Sequence, residues 1–302
     1  MDQAENLRLL VKKHKEQEIE LSLSPKLIKG KTKIYAVTSG KGGVGKTNLT
    51  LNMAILLAKE SNKKVLVLDA DLGTANIDIM MGIIPKYNIS HLFFDNKSLE
   101  EIIIDGPYNV KILPGVSGLA DFTSLTEAQK EDFFIKIDNY QSSNKLDYIF
   151  IDTGAGLGSN VINFLLAADE IIVLVTQEPT SLSDAYAVIK VLNKYDSTIK
   201  VNVVVNMVRN EDEAKKVFNT IHAVSEKFLN KNLTYMGFLR YDKIMPMAVK
   251  QQKPLVLSFP NSEMSMEILT LSNRITSNVV DNKSSIKSFF QLAGKYFGWN
   301  ND

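Results

Sequence analysis

The chain has 302 residues, a formal net charge of +1 and no cysteine. The lack of cysteine excludes disulfides, iron–sulfur clusters and cysteine-based zinc sites. With so small a net charge, binding to nucleic acid or to an anionic membrane would need a local patch. No apolar run reaches the roughly 18–20 residues of a membrane span, and residues 1–10 lack the apolar core of a signal peptide. We therefore expect a cytoplasmic protein.

Three zones follow one another along the chain. Residues 1–32 are polar and charged, and we interpret them as a tail that begins with a short helix. Residues 33–280 alternate short apolar runs with helical stretches. The runs lie at 34–37, 65–69, 110–113, 148–152, 171–175 and 201–206, and the helical stretches at 48–60, 127–140, 181–195 and 211–229. Apolar strands separated by helices predict one doubly wound α/β domain, with a mostly parallel sheet covered on both faces.

A glycine-rich loop follows the first predicted strand and precedes a helical stretch. It matches the pattern G-x-x-x-x-G-K-[ST] with Gly40, Lys41, Gly42, Gly43, Val44, Gly45, Lys46 and Thr47. The glycines let successive backbone N–H groups point at phosphate oxygens, and the helix N-terminus adds its positive end. In such a loop Lys46 reaches the β- and γ-phosphates, and the Thr47 hydroxyl holds Mg²⁺. The loop therefore predicts a site for ATP and Mg²⁺.

A second lysine, Lys41, stands near the start of this loop. Two ammonium groups a few ångströms apart repel each other, so Lys41 and Lys46 cannot both approach one γ-phosphate without cost. Taken alone, Lys41 is also compatible with a solvated side chain.

Acidic residues end two of the predicted strands. Asp69 and Asp71 follow residues 65–68, and Asp152 follows residues 148–151. In a doubly wound sheet the carboxyl ends of the strands face the ligand crevice, where a carboxylate can order Mg²⁺-bound water or position the attacking water. Each Asp taken alone could be a helix cap or a turn former. Two acidic strand ends beside a phosphate loop favour the Walker B type of arrangement.

The chain resembles the MinD/ParA class of P-loop ATPases along essentially the whole central zone. The matching segments are GKGGVGKT at 40–47, DADLGTANID at 69–78, YIFIDTGAG at 148–156 and VNMV at 205–208. Within this class it is most similar to the FlhG family, which regulates flagellar number and placement. Residues 2–8 match that family's D-Q-A-x-x-L-R element, and residues 178–186 are close to its E-P-T-S-x-x-D-A-Y run.

This resemblance implies a deviant Walker A ATPase that hydrolyses ATP slowly and forms an ATP-dependent homodimer. It gives catalytic roles to three residues. Lys41 would cross the dimer interface to the other subunit's nucleotide, Lys46 would hold the phosphates, and Asp71 would orient the hydrolytic water. ATP would lie between two subunits, and its hydrolysis would release them.

The resemblance also implies which other residues surround the cofactor. Mg²⁺ would be held by Thr47, Asp69 and Asp152. The nucleotide would further contact Asn48 after the loop, Asn76 across the dimer, and Asn206 with Arg209 near the adenine. Gln177 and Arg240 stand where the family commonly has proline, both near the expected base pocket.

Residues 281–302 are predicted to form an amphipathic helix, because their apolar side chains recur at helical spacing. The residues expected at a membrane surface are Ile286, Phe289, Phe290, Ala293 and Phe297. One such helix binds a membrane marginally, whereas two linked copies gain from effective concentration. The expectation, which the resemblance to MinD supports, is reversible, ATP-dependent association with the inner face of the cytoplasmic membrane. The alternative is a terminal helix docked on its own domain.

The element near the N-terminus is too short to fold alone, and on composition it could be a disordered start. Through the resemblance it would instead dock on the GTPase FlhF and raise that enzyme's hydrolysis rate. The residues expected at this contact are Asp2, Gln3, Leu7 and Arg8. Flagellar switch or C-ring proteins and transcriptional regulators are further partners that the resemblance suggests.

A second interpretation is a MinD/ParA-type positioning ATPase that acts on the division site, the chromosome or another cargo. Lys215, Lys216, Lys227 and Lys231 could form a basic face for nucleoid DNA. Such runs are usually solvated helix surfaces, so nucleic acid is not the expected partner.

Overall fold

The computed structural model describes residues 32–71, 76–115 and 127–277. Eight strands form one sheet in the order β3-β4-β2-β5-β1-β6-β7-β8, and every neighbouring pair is parallel except β3 with β4. The strands are β1 (Lys33–Thr38), β2 (Val65–Ala70), β3 (Ile104–Asp105), β4 (Lys111–Leu113), β5 (Tyr148–Thr153), β6 (Glu170–Val175), β7 (Lys200–Val208) and β8 (Thr234–Arg240). The predicted doubly wound, mostly parallel sheet is thereby confirmed.

Helices cover both faces of this sheet. They are α1 (Lys46–Ser61), α2 (Ile77–Met81), α3 (Ile89–Phe94), α4 (Leu99–Ile102), α5 (Glu127–Asn144), α6 (Ser159–Ala167), α7 (Pro179–Tyr195), α8 (Glu211–Leu229), α9 (Ile244–Lys250), α10 (Leu255–Ser258) and α11 (Glu263–Ser277). Helices α3 to α8 pack into one apolar cluster, and α1, α2 and α9 to α11 pack into the other. The sheet therefore separates two cores.

Every strand except the two-residue β3 supplies side chains to both cores, because successive side chains of a strand point to opposite faces. In β5, Ile149 and Ile151 pack on the side of α5 to α8, whereas Tyr148 and Phe150 pack on the side of α1. Burying a large apolar side chain contributes about 1.5–3 kcal/mol before the loss of conformational entropy. This double burial explains why the strands are nearly continuous apolar runs.

The topology brings the candidate nucleotide residues to one end of the sheet. Strand β1 lies between β5 and β6, so the loop after β1 begins beside the carboxyl end of β5. In the pairing register Val37 lies opposite Asp152, and Asp152 lies opposite Asp69. Parallel pairing thus aligns the two acidic strand ends next to the glycine-rich loop.

The structure corrects one residue of the basic face considered above. Lys231 is buried, and its Nζ donates to the carbonyl oxygens of Ser197 and Ile199 at 2.6 and 2.5 Å. Burial lowers the pKa of Lys231. This lysine follows the end of α8 and ties it to the segment before β7, so it offers no charge to solvent.

Both terminal predictions fall outside the described residues. They concern Asp2, Gln3, Leu7 and Arg8 near the N-terminus and the helix expected at 281–302. Within the described ranges, none of the helices has the length and apolar character needed to cross a bilayer.

Candidate nucleotide site

The glycine-rich loop joins β1 to α1, which begins at Lys46. Gly43 and Gly45 adopt φ angles of 76° and 96°, a left-handed region that glycine enters without a steric penalty. Gly40 lies so close to α7 that a Cβ atom built on it would be 2.2 Å from the carbonyl carbon of Asp184. These constraints explain why the loop needs glycine at three of its positions.

Asn206, at the end of β7, is tied to the same loop. Its Nδ2 donates to the carbonyl oxygen of Val44 at 2.7 Å, and a Cβ atom on Gly45 would lie 2.8 Å from that nitrogen. Its Oδ1 accepts from the N–H of Met207, which has a φ of 59°. Asn206 therefore holds the phosphate loop, and its predicted contact with the adenine base stays a prediction.

Lys41 is paired within its own chain. Its Nζ donates to the carboxylate of Glu178 and lies 3.5 Å from the Thr180 hydroxyl. Both members of the ion pair are well exposed. The partners belong to the E-P-T-S run of residues 178–181, so two segments that the sequence analysis treated separately meet at this point.

Lys46, Thr47 and Asp152 come together near the start of α1. Lys46 is buried, and Asp152 is only 1% exposed. Burial raises the pKa of Asp152 to about 6, against the opposing effects of hydrogen bonds from Thr47 and Thr50 and of the charge of Lys46. The Oδ2 atom of Asp152 has no hydrogen-bond partner among the described residues.

Thr50 lies one turn after Lys46 and was not predicted as a site residue. Its hydroxyl is 3.3 Å from Asp152 Oδ1 and 3.0 Å from the carbonyl oxygen of Lys46. A threonine inside an apolar helix gives little sequence signal of such a contact, because its partner is 102 residues away.

Asp69 is a second buried carboxylate at this end of the sheet. It accepts hydrogen bonds from the backbone N–H groups of Asp71, Asn76 and Ile77 at 3.1–3.3 Å. Burial, with the charge of Asp152 as the second cause, raises the pKa of Asp69 to about 7 despite these bonds. Asp69 thus holds the backbone N–H groups of Asp71 and Asn76 in place, and its role at the metal stays a prediction.

Asp71 lies across from the small residues that follow β5. A Cβ atom on Gly154 would be 3.5 Å from Asp71 Oδ1. Because glycine lacks this atom, the space beside the Asp71 carboxylate stays unfilled. Asn76 occupies the N-cap position of α2, without a capping hydrogen bond from its side chain. Both predicted residues are therefore near the acidic strand ends.

Two of the predicted contacts are more peripheral. Asn48 lies on α1 and accepts from Asn52 through its backbone oxygen at 2.7 Å. Arg209 is exposed in the turn before α8, where its N–H donates to Glu213. Arg240, which replaces a proline of the family, forms ion pairs of 2.6 Å with Glu263 and Glu267.

Comparison with known proteins identifies the type of site. A family model described as an AAA domain matches residues 32–205. Antiactivator FleN of Pseudomonas aeruginosa is 35% identical over 81% of this chain and 86% of its own length. Flagellum site-determining protein YlxH of Helicobacter pylori is 34% identical over 89% of this chain and 92% of its own length.

A solved structure agrees with the fold. A chain of the MinC:MinD cell division protein complex of Aquifex aeolicus superposes with a TM-score of 0.65 and 25% identity, covering 84% of this chain and 99% of that one. The chain is an ATPase of the MinD/ParA class and belongs to the FlhG family, to which FleN and YlxH are assigned.

Proposed function

We propose that this ATPase is a nucleotide-driven dimerisation switch that controls the number or placement of flagella. The descriptions of its relatives as an antiactivator and as a flagellum site-determining protein support this role. The observation that carries the switch is the phosphate loop bordered by the buried carboxylates of Asp69 and Asp152. A site of this kind can distinguish ATP from ADP, because the γ-phosphate and its cation contact these groups.

Mg²⁺ fits the residues present. Asp152 Oδ2 has no partner in the described part of the chain, and the Thr47 hydroxyl bonds to the same carboxylate. No three His, Cys, Asp or Glu side chains converge as a metal site within the described ranges. Mg²⁺ also takes water and substrate phosphates as ligands. We propose Thr47, Asp69 and Asp152 as its protein contacts. When bound, the ion neutralises negative charge on the phosphates.

The remaining residues act on the nucleotide directly. Lys46 is positioned in the loop to balance phosphate charge, and Asp71 is proposed to orient the hydrolytic water. Lys41 would leave Glu178 and contact the nucleotide of a second subunit. On dimerisation each subunit would therefore lose the ion pair of Lys41 with Glu178 and gain a contact between Lys41 and a phosphate of the other subunit's nucleotide.

The oligomeric state tests this proposal. Size-exclusion chromatography with light scattering is run on the parent, Asp71→Ala and Lys41→Ala with ADP and with ATP. The parent is expected to dimerise only with ATP, Asp71→Ala to stay dimeric because it hydrolyses poorly, and Lys41→Ala to remain monomeric. Lys216→Ala, which removes an exposed lysine from α8, serves as the matched control. Normal pairing and turnover in Lys41→Ala would contradict the switch.

Membrane attachment is the second part of the proposal. Residues Ile286, Phe289, Phe290, Ala293 and Phe297 would insert into the inner face of the cytoplasmic membrane when two copies are joined by ATP. Co-sedimentation with anionic vesicles should increase with ATP relative to ADP, and Phe290→Asp should remove the increase. Equal sedimentation with the two nucleotides would refute this part.

Regulation of FlhF is the third part. The N-terminal element with Asp2, Gln3, Leu7 and Arg8 is proposed to stimulate GTP hydrolysis by that protein. Gln3→Ala should abolish the stimulation and leave ATP hydrolysis intact, whereas Gln17→Ala, in the same tail, should change neither. Undiminished stimulation by Gln3→Ala would exclude this contact.

A further inference from the structure

A cavity of about 180 Å³ lies along the outer edge of β8, the last strand of the sheet. Its lining comes from β8 and from the helices on either face, and includes Glu211, Tyr235, Phe238, Glu267, Leu271 and Arg274. No residue of the phosphate loop or of the acidic strand ends takes part in it. A cavity of about 150 Å³ already accommodates a molecule the size of benzene, so the β8-edge cavity has room for a small organic ligand.

The charged residues that line the β8-edge cavity differ in whether they form ion pairs. Glu267 is paired with Arg240 at 2.6 Å, and Glu211 is paired with Lys215 at 3.0 Å. Arg274 donates through Nη1 to the carbonyl oxygen of Met236 at 2.5 Å and forms no ion pair within the described part of the chain. Both acids of the lining are therefore ion-paired, although Glu267 shares Arg240 with Glu263. The guanidinium of Arg274 is the charged group of the lining that has no carboxylate partner among the described residues.

A second donor lies in the same lining. The hydroxyl oxygen of Tyr235 is buried and has no hydrogen-bond partner among the described residues. Its ring packs against Phe218 with centroids 5.2 Å apart, which holds the hydroxyl in place. Burial, together with the charge of Glu211, raises the pKa of Tyr235 to about 12, so the group is a hydrogen-bond donor at neutral pH. A buried hydroxyl without an acceptor is destabilising.

A smaller cavity of about 70 Å³ shares Tyr235 and Arg274 in its lining. Its acid, Glu170, lies 3.3 Å from Lys33 and 3.5 Å from Lys200. This acid is therefore paired as well. Both cavities are lined by the guanidinium of Arg274 and the hydroxyl of Tyr235, and neither group has an acidic partner among the described residues.

We propose that the β8-edge cavity binds a small carboxylic acid. Its carboxylate oxygens accept from the guanidinium of Arg274 and the hydroxyl of Tyr235, and its carbon chain lies against Phe238 and Leu271. The planar guanidinium matches the two oxygens of a carboxylate, which favours this ligand over a spherical anion. The limited volume favours a free acid of a few carbon atoms over an acidic side chain of another protein.

Calorimetry on the full chain tests this proposal, with sodium succinate and sodium glutamate as probes. Sodium chloride and sodium phosphate at matched ionic strength control for charge alone, and a short capped peptide containing glutamate represents a protein ligand. We expect saturable binding of at least one acid, weakened about tenfold by Tyr235→Phe and about 10- to 100-fold by Arg274→Gln. Tyr108→Phe, at an exposed tyrosine outside the cavity, should bind like the parent.

Tyr235→Phe is the decisive variant because it keeps the ring and removes only an unpartnered hydroxyl. It should fold at least as well as the parent, whereas Arg274→Gln also loses the bond to Met236. Unchanged affinity in Tyr235→Phe, the absence of saturable binding by both acids, or binding of phosphate alone would overturn the proposal. Binding of the peptide without binding of either free acid would overturn it as well.

Discussion

Asp69 and Asp152 are adjacent buried carboxylates whose pKa values are raised from 3.8 to about 7 and about 6, in both cases mainly by burial. Over that range the folded protein holds protons that the unfolded chain has released. Since the folded state then binds more protons than the unfolded state, the free energy of unfolding falls as pH rises. We expect the protein without nucleotide and Mg²⁺ to lose stability between about pH 4 and about pH 7 from these two groups.

Urea unfolding across this pH range measures the effect. Asp152→Asn cannot ionise at that position, so its stability should depend less steeply on pH than that of the parent. Asp95→Asn, at an exposed carboxyl, should retain the parent's slope. Identical slopes for the parent and Asp152→Asn would mean that burial does not control this carboxyl.

The ion pair of Lys41 with Glu178 competes with the proposed contact across the dimer. An exposed ion pair contributes about 0.2–1 kcal/mol, and the dimer would break two of them, one in each subunit. Their removal should therefore lower the protein concentration needed for ATP-dependent pairing by up to about 30-fold. Glu178→Gln is the test, and analytical ultracentrifugation with ATP is the measurement. Asp132→Asn removes a comparable pair with Lys136 on α5 and should leave pairing unchanged. Weaker pairing in Glu178→Gln would show that Glu178 supports the dimer.

At the scale of elements, the phosphate loop depends on its close contact with α7. Gly40→Ala would place a Cβ atom 2.2 Å from the carbonyl carbon of Asp184, so the loop or the helix must move. Such overpacking typically costs about 1–3 kcal/mol, and nucleotide affinity should fall with it. Gly158→Ala, which meets nothing within 4 Å, is the control. Denaturant unfolding and nucleotide titration of both variants would show whether the contact matters.

The sequence predicted most of the strands and four of the longer helices, but it missed α11, which has 15 residues, and α6, which has 9. All six predicted runs are strands, and the four predicted helical stretches correspond to α1, α5, α7 and α8. Strand β8 was missed because Gly237, with a φ of 133°, interrupts it at a register shift. Strand β3 has two residues, and helices of four to seven residues such as α4 and α9 have too few turns to show a period.

The site was predictable where a local motif carries it and unpredictable where distant segments meet. Asp69 and Asp152 could be recognised because each ends an apolar run. The partner of Lys41 lies 137 residues away, and the burial of Lys231 depends on carbonyl groups more than 30 residues earlier. Spacing along the chain carries no signal for such pairs.

At the scale of the whole molecule, Asn52 connects the helix of the phosphate loop to the last third of the chain. Its Oδ1 accepts from the N–H of Val256 at 2.9 Å, in a buried contact between residues 204 positions apart. This N–H lies in the first turn of α10, where a helix supplies no partner of its own. Asn52→Ala should therefore destabilise the protein by about 1–3 kcal/mol.

Thermal and urea unfolding would measure this loss. Asn273→Ala, at an exposed position of α11, should change stability by less than about 0.5 kcal/mol. If Asn52→Ala lowered the free energy of unfolding no more than Asn273→Ala does, the hydrogen bond between Asn52 and Val256 would not stabilise the packing of α1 against α10.

The two edges of the sheet, β8 and β3, affect how copies of this protein can associate. At one margin, Arg274 covers the carbonyl oxygen of Met236, and Glu267 accepts from the N–H of Arg240. The opposite margin is the two-residue strand β3. A long edge strand with unpaired N–H and C=O groups can pair with another chain and start aggregation. Neither edge of the described sheet is a long strand with all of these groups unpaired. We therefore expect that copies of this protein do not associate by extending the sheet from one chain to the next.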